Sequence, residues 1–401
     1  MLRDLLTSDL MSYPTSIYIG DHSHHSAGWD DGREYDRRRF NVDRSRDGTS
    51  EVDIALVPML RDLEPLLTAC PYLEEQDALK HCILKEGDIG ATLGFILTLL
   101  PNLASIYITD YGCTSDGSEN FNTVVRNIVA AGQSTGRSGI PSLSKLTHMS
   151  LIRSGRPAFG NDWDLAFFWP FFHLPSLRSL RGQNINASGN DWSYARLRSH
   201  IEELDFDQSF IDPQSFDTYL KDIESLGKFR FHRHLTIEWA GRECPLPRFV
   251  QSLVRFASHS LQNLEITVDF SSSTSAHGGF YFIGTLKALQ VLEYLRVGGP
   301  MFMESAANKI ALPYEVLLPA ARVHRLIDML PASILRVEFN YEVKKSETAA
   351  MLAGLPELKG EHVPNLQAIQ FPQSLCATPG KERAMKRAYS DAGILLMTRS
   401  H

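Results

Sequence analysis

A short apolar rhythm, an aliphatic residue followed three and then two positions later by others, returns along the whole chain. It is sharpest in residues 258–270, where Leu261, Leu264 and Ile266 carry it, and it recurs at Leu103, Ile106 and Ile108 and at Leu146, Met149 and Leu151. Further copies stand at Ile201, Leu204 and Phe206, at Leu292, Leu295 and Val297, and at Leu366, Ile369 and Phe371. Near the start, residues 14–21 almost repeat residues 103–110, so the chain begins inside a repeat and shows no terminal cap. The middle positions are Ile17, Ile106, Met149, Leu180, Leu204, Leu235, Leu264, Leu295, Val337 and Ile369. After the first long gap they recur about every thirty residues. Two copies depart from the pattern, with Gly182 at a third position and His232 at a first.

Between these segments lie stretches with apolar residues three and four apart, which predict helices. They cover residues 51–69, 73–84, 88–100, 119–131, 164–173, 213–226, 246–257, 281–290, 319–330, 347–355 and 381–390. Pro141, Pro175, Pro331 and Pro364 sit just before predicted strands, where proline helps to end a helix. A three-residue strand cannot bury its apolar face alone. Parallel strands stacked into one sheet, with helices behind them, bury a continuous core. The expected fold class is therefore α/β: a solenoid of short parallel strands backed by helices, one repeat domain over 1–401, with a polar inserted loop at about 21–50. Strand alternation turns the residue between the second and third anchors to the opposite face. Those residues are Tyr18, Tyr107, Ser150, Arg181, Asp205, Thr236, Glu265, Arg296, Glu338 and Gln370, almost all polar, which supports the register.

Composition narrows the function classes. With 43% hydrophobic and 22% charged residues among 401, the chain is far from the disordered regime. A net charge of -7 gives no electrostatic footprint for nucleic acid or an anionic membrane. Five scattered cysteines fit a reducing compartment better than a disulfide framework. The first residues carry Asp4 and Asp9 and no apolar core, so no signal peptide is expected, and the apolar run 89–100 is too short to span a bilayer. A cytoplasmic or nuclear location follows as the expectation.

The runs LLPNLASIYITD, IPSLSKLTHMSL, HLPSLRSLRG and SHIEELDFDQS, with a C-terminal helix followed by AGILLM, resemble the leucine-rich-repeat portion of fungal F-box proteins. In that family an N-terminal F-box docks on the adaptor of a cullin ubiquitin ligase and the repeats hold a target. The F-box pattern, Leu-Pro and an acidic residue before a helical run, is not found in this chain. The resemblance thus implies target recognition by the repeats, with the ligase adaptor reached through an upstream segment.

Candidate chemistry is sparse. Gly132-Gln-Ser134-Thr-Gly136 matches a nucleophile elbow on paper, but that turn needs a strand before it and a helix is predicted there, so a hydrolase using Ser134 is a remote alternative. His22, His24 and His25 with Asp21, Asp30 and Asp31 match no tetrahedral metal spacing, and the loop reads as solvated. Arg37, Arg38 and Arg39 are diluted by Asp36 and Asp43. Trp163, Phe167, Phe168, Trp169, Phe171 and Phe172 read as core. No catalytic, metal or cofactor residues are expected. The reading is a non-enzymatic protein-recognition scaffold, with a free-standing structural or signalling repeat protein as the alternative. The expected protein-binding residues are Tyr18, Tyr107, Arg181, Asp205, Glu265, Arg296 and Glu338 on the face turned away from the anchors.

Overall fold

A computed structural model describes residues 15–19, 67–68, 70, 77–86, 88–109, 115–133, 142–152, 163–164, 169–187, 198–234, 246–269, 282–304, 322–340, 345–372, 375 and 378–398. The chain forms two compact units: Met1–Asn186 with Ala195–Ile201, and Ala187–Tyr194 with Glu202–His401.

In the first unit, strands β1 (Ser16–Ile19), β2 (Ser105–Thr109), β3 (His148–Ile152) and β4 (Ser179–Gln183) pair in parallel in that order. The middle anchors align across them, Ile17 with Ile106, Ile106 with Met149 and Met149 with Leu180. Gly182 takes the third-anchor place beside Leu151, as the spacing predicts. Helices α1 (Ile89–Thr98) and α2 (Ser115–Gln133) pack together. Asp88 caps α1 by accepting from the Ala91 N–H at 2.6 Å, and its other oxygen accepts from Asn120 of α2 at 3.0 Å.

The second unit carries β5 (Glu203–Asp207), β6 (Lys228–His234), β7 (Asn263–Asp269), β8 (Tyr294–Val297), β9 (Arg336–Phe339), β10 (Ala368–Phe371) and β11 (Leu395–Thr398), again parallel and in chain order. Leu204, Phe229, Leu264, Leu295, Val337, Ile369 and Leu396 share one register row. All seven are buried, and full burial of such a side chain stabilises by about 1.5–3 kcal/mol. Behind the strands, α3 (Pro213–Lys221) and α4 (Leu246–Ala257) pack side by side, and α5 (Leu326–Met329), α6 (Lys345–Leu352), α7 (Leu355–His362) and α8 (Pro379–Asp391) follow. Asp212 caps α3 through the Gln214 and Ser215 N–H groups, with Pro213 in the first turn.

A backbone stitch enters each of the strands β6 to β10. The Glu202 carbonyl accepts from the Gly227 and Lys228 amides, that of Gly227 from Gln262 and Asn263, and that of Gln262 from Glu293 and Tyr294. Serine hydroxyls just ahead of the first anchor add to it: Ser260 donates to the Leu226 carbonyl at 3.0 Å and Ser333 to that of Leu292 at 2.9 Å.

The structure corrects the repeat expected around Leu235. Residue Phe229, not Leu235, pairs with Leu204 on one side and Leu264 on the other, so the rhythm there is Leu226, Phe229 and Phe231. The physical reason is aromatic filling. Phe229 lies 5.2 Å from Phe216 of α3, Phe216 lies 4.7 Å from Phe249 of α4, and Phe249 lies 5.3 Å from Phe231. His232 is no anchor. It stands on the opposite face between Asp207 and Thr267, and Arg230 takes the place predicted for Thr236. Leu235 and Thr236 lie outside the described residues.

Helix boundaries differ too. Residues 282–290 hold no helix, because Gly284 at φ 79° turns the chain and the Ile283 and Leu286 amides reach across to the Met301 and Met329 carbonyls. The stretch 347–355 straddles α6 and α7, broken at Gly354 with φ 76°. Trp163–Asp164 is strand and the helical turn there is Trp169–Phe172, whose side chains are buried as expected. Arg322–Val323 pairs antiparallel with Met303–Glu304 ahead of the short α5, inside the stretch read as one helix. Residues 73–84 give a helical turn, Asp77–His81, followed by a π-helical one, Cys82–Glu86. The loop 21–50 and most of 51–69 lie outside the described residues.

Candidate functional site: a charge ladder on the second unit

Each anchor turns its neighbours to the far side of the strand, and in the second unit the register stacks them into rows. The row between the second and third anchors reads Asp205, Arg230, Glu265, Arg296, Glu338, Gln370 and Met397. Charge alternates along its first five members, and each neighbour pairs with the next. Arg230 lies 3.6 Å from Asp205 and donates through Nε to Glu265 at 2.8 Å. Arg296 lies 3.6 Å from Glu265 and 3.5 Å from Glu338. The row two residues earlier adds the Lys228–Glu203 pair at 2.7 Å. It also adds Arg336, 3.5 Å from Glu338 and 2.7 Å from the Gln370 amide oxygen.

Burial is uneven across the ladder. The carboxylate side chains of Glu338, Glu265 and Asp205 are only 5%, 14% and 15% exposed, whereas Arg230, Arg296 and Arg336 are 39%, 33% and 45% exposed. These three carboxylates lie low and guanidinium groups form the outer layer, while Glu203, in the row two residues earlier, is 33% exposed beside Lys228. Glu338 tolerates its burial because two guanidinium charges, Arg296 and Arg336, stand 3.5 Å away and the Tyr294 hydroxyl donates to it at 3.0 Å. Burial, reinforced by Glu338, pushes the Tyr294 pKa up to about 12. For Arg230, burial pulls the pKa down, but Glu265, Asp205 and Glu203 outweigh it and leave it raised. The Arg336 guanidinium stands 5.9 Å over the Tyr294 ring. At the far edge the rows turn apolar, with Ala368 beside Leu395, which is 59% exposed, and with Met397.

Of the residues expected to bind, Asp205, Glu265, Arg296 and Glu338 fall in this one ladder. In the first unit, Tyr18 pairs with Tyr107, Tyr107 with Ser150 and Ser150 with Arg181, so those three candidates share the equivalent row there.

The family model for the leucine-rich repeat domain matches residues 134–371, more than half of the chain. The chain belongs to the leucine-rich repeat domain family. None of the curated proteins matches it. The leucine-rich-repeat rhythm explains why both rows form: the anchors that define the family face the helices, and the residues between them have no other place to go.

Four members of the ladder are not among the residues expected to bind. The misplaced Leu235 repeat hides Arg230, and Glu203, Lys228 and Arg336 stand in the row two residues earlier, on the same face. The signal was present, since Leu226, Phe229 and Phe231 keep the repeat spacing once phenylalanine is admitted as an anchor.

Ser134 lies outside the described residues, and the segment running up to it is helix α2 rather than the strand a nucleophile elbow needs. The His22, His24 and His25 loop and the Arg37–Arg39 cluster also lie outside them. Among the described residues, no group of three or more His, Cys, Asp or Glu side chains is placed to hold a metal ion. Among them, too, no helix is long and apolar enough to cross a membrane.

Proposed function

We propose that this leucine-rich-repeat protein is a non-enzymatic scaffold that recognises another protein through the strand face turned away from its helices. The observation that carries the reading is the guanidinium layer over buried carboxylates on β5 to β9. Arginine and tyrosine are the residue types most often found at binding hot spots, and here a self-paired ladder holds them in place. On this reading Arg296, joined by Arg230 and Arg336, meets the partner in the second unit while Asp205, Glu265 and Glu338 hold those guanidinium groups from below, and Tyr18, Tyr107 and Arg181 are the protein-binding residues of the first.

The test compares affinity capture by wild type, by an Arg230→Gln/Arg296→Gln protein and by Arg383→Gln on the exposed side of α8. A partner retained by wild type and Arg383→Gln, and lost by the ladder variant while that variant still melts cooperatively, supports the reading. A partner set identical in all three rejects it. A hot-spot arginine is expected to cost about 2 kcal/mol or more in affinity.

A more specific form, the target-binding region of an F-box ubiquitin ligase subunit, draws on the resemblance of residues 99–110, 140–151 and 173–182 to that family. Co-purification of the protein, expressed from its full reading frame, with the ligase adaptor supports this form. A stable protein that ignores the adaptor favours the free-standing scaffold.

A further inference from the structure

We infer that the partner element read by the second unit is an extended acidic segment that ends in a large apolar side chain. This rests on the recognition reading above and names the chemistry of its ligand. The inference follows from an inventory of donors and acceptors. Asp205, Glu265 and Glu338 are low and already engaged, and Glu203, 33% exposed, is held by Lys228 at 2.7 Å, so a partner's lysine or arginine would have to displace a cation already in place. The guanidinium groups are outermost and only part of each is used. Among the described residues, Arg230 hydrogen-bonds Glu265 through Nε and Arg336 hydrogen-bonds Gln370 through Nη2, while the other contacts, Arg230 to Asp205, Arg296 to Glu265 and Glu338, and Arg336 to Glu338, are ion pairs at 3.5–3.6 Å. Their remaining N–H groups call for acceptors, and carboxylates are the acceptors that guanidinium binds most strongly.

The guanidinium groups form a row rather than one cluster. Arg230 and Arg296 meet at Glu265 between them, and Arg296 and Arg336 meet at Glu338, so carboxylates spaced along a segment can serve all three where one phosphate reaches only a neighbouring pair. Arg336 follows on β9, and two strands beyond it come exposed Leu395 and, beside it, Met397 on the sheet's last strand. From Arg230 to Leu395 is five strand spacings, about 24 Å, the reach of roughly seven residues of extended peptide. A segment lying across the strands thus meets three guanidinium groups and then an apolar step. The chain's net charge of -7 opposes an acidic ligand at long range, but physiological salt screens charges beyond about 8 Å, and contact is set by the local donors.

The experiment measures binding of fluorescein-labelled heptapeptides to the whole protein by anisotropy. The lead peptide alternates aspartate and glutamate and ends in leucine. Its comparators carry asparagine and glutamine in place of the acids, lysine in their place, serine in place of the leucine, or one phosphoserine in an otherwise neutral sequence. The expected result is that the lead binds at least tenfold more tightly than the amide, lysine and phosphoserine peptides and severalfold more tightly than the serine-ended one. Arg336→Gln should weaken it about tenfold. Leu395→Ser, a change at an exposed site that leaves the fold intact, should remove the advantage of the terminal leucine, and Arg383→Gln should change nothing. Equal binding of the amide peptide, tighter binding of the lysine or phosphoserine peptide, or indifference to Leu395→Ser overturns the inference. If no peptide binds while a captured partner still needs Arg230 and Arg296, the acidic-segment inference falls and the recognition reading stands. If neither depends on the ladder, both fall.

Discussion

His173 is a titratable ring buried in the first unit, edge-on to Trp169 at 5.0 Å, with neither ring nitrogen hydrogen-bonded among the described residues. Burial disfavours its charged form and lowers its pKa from 6.5 to about 4. Between those values the unfolded chain binds the proton and the folded one does not. The contribution of neutral His173 is therefore whole above about pH 6.5 and is lost as pH falls towards 4. His173→Leu should flatten that part of the curve, so that melting temperatures at pH 7 and pH 4.5 differ less than in wild type. A variant with the same acid sensitivity as wild type would place the titrating group elsewhere. Tyr294 works in the opposite window. Its pKa is raised by burial and by Glu338 from 10.0 to about 12, so the stability it contributes is present below pH 10 and lost as pH rises through 12. Tyr294→Phe should lose about 1 kcal/mol at neutral pH with the hydrogen bond to Glu338, and should show a shallower alkaline decline between pH 10 and 12 in denaturant titrations.

Helix pairs set the limits at the next scale. Gly94 lies where α1 meets α2, and a Cβ there would stand 2.8 Å from the Val124 Cβ. Helix propensity alone would credit alanine with about 1 kcal/mol over glycine. Overpacking a close contact costs about 1–3 kcal/mol, and that term should win because both groups sit on backbone that cannot swing aside. Gly360 in α7 is the contrasting case, with nothing within 4 Å of its would-be Cβ. Urea denaturation should therefore show Gly94→Ala less stable than wild type and Gly360→Ala more stable, by up to about 1 kcal/mol. The reverse order would mean that α1 and α2 pack less closely than these distances state.

Across the second unit the repeats form a stack in which each strand touches mainly its neighbours, so damage should spread by proximity. Leu264 on β7 is fully buried, with Phe229 and Leu295 on either side in register. Leu264→Asp puts an unpaired charge there and should cost about 3 kcal/mol or more. Hydrogen exchange read by mass spectrometry should show β6 and β8 losing protection first and β11 last. Uniform loss in all strands would indicate one cooperative block rather than a stack.

The aliphatic spacing alone determined that this chain builds short parallel strands backed by helices, because a strand of three residues has no other way to bury Leu261, Leu264 and Ile266. It also turned Asp205, Glu265, Arg296 and Glu338 to one side, since strand alternation leaves no choice. Tertiary structure decided the rest. Phe229 could replace an aliphatic anchor only because Phe216 and Phe249, on two different helices, leave an aromatic-sized space over β6. Whether Glu338 is solvated or buried depends on Arg296, Arg336 and Tyr294, brought to it by β8 and β9 from up to 44 residues away in the chain. Alternation says which face a side chain takes. Only the packing of its cross-strand neighbours sets its depth, and here that depth puts carboxylates below and guanidinium groups outermost.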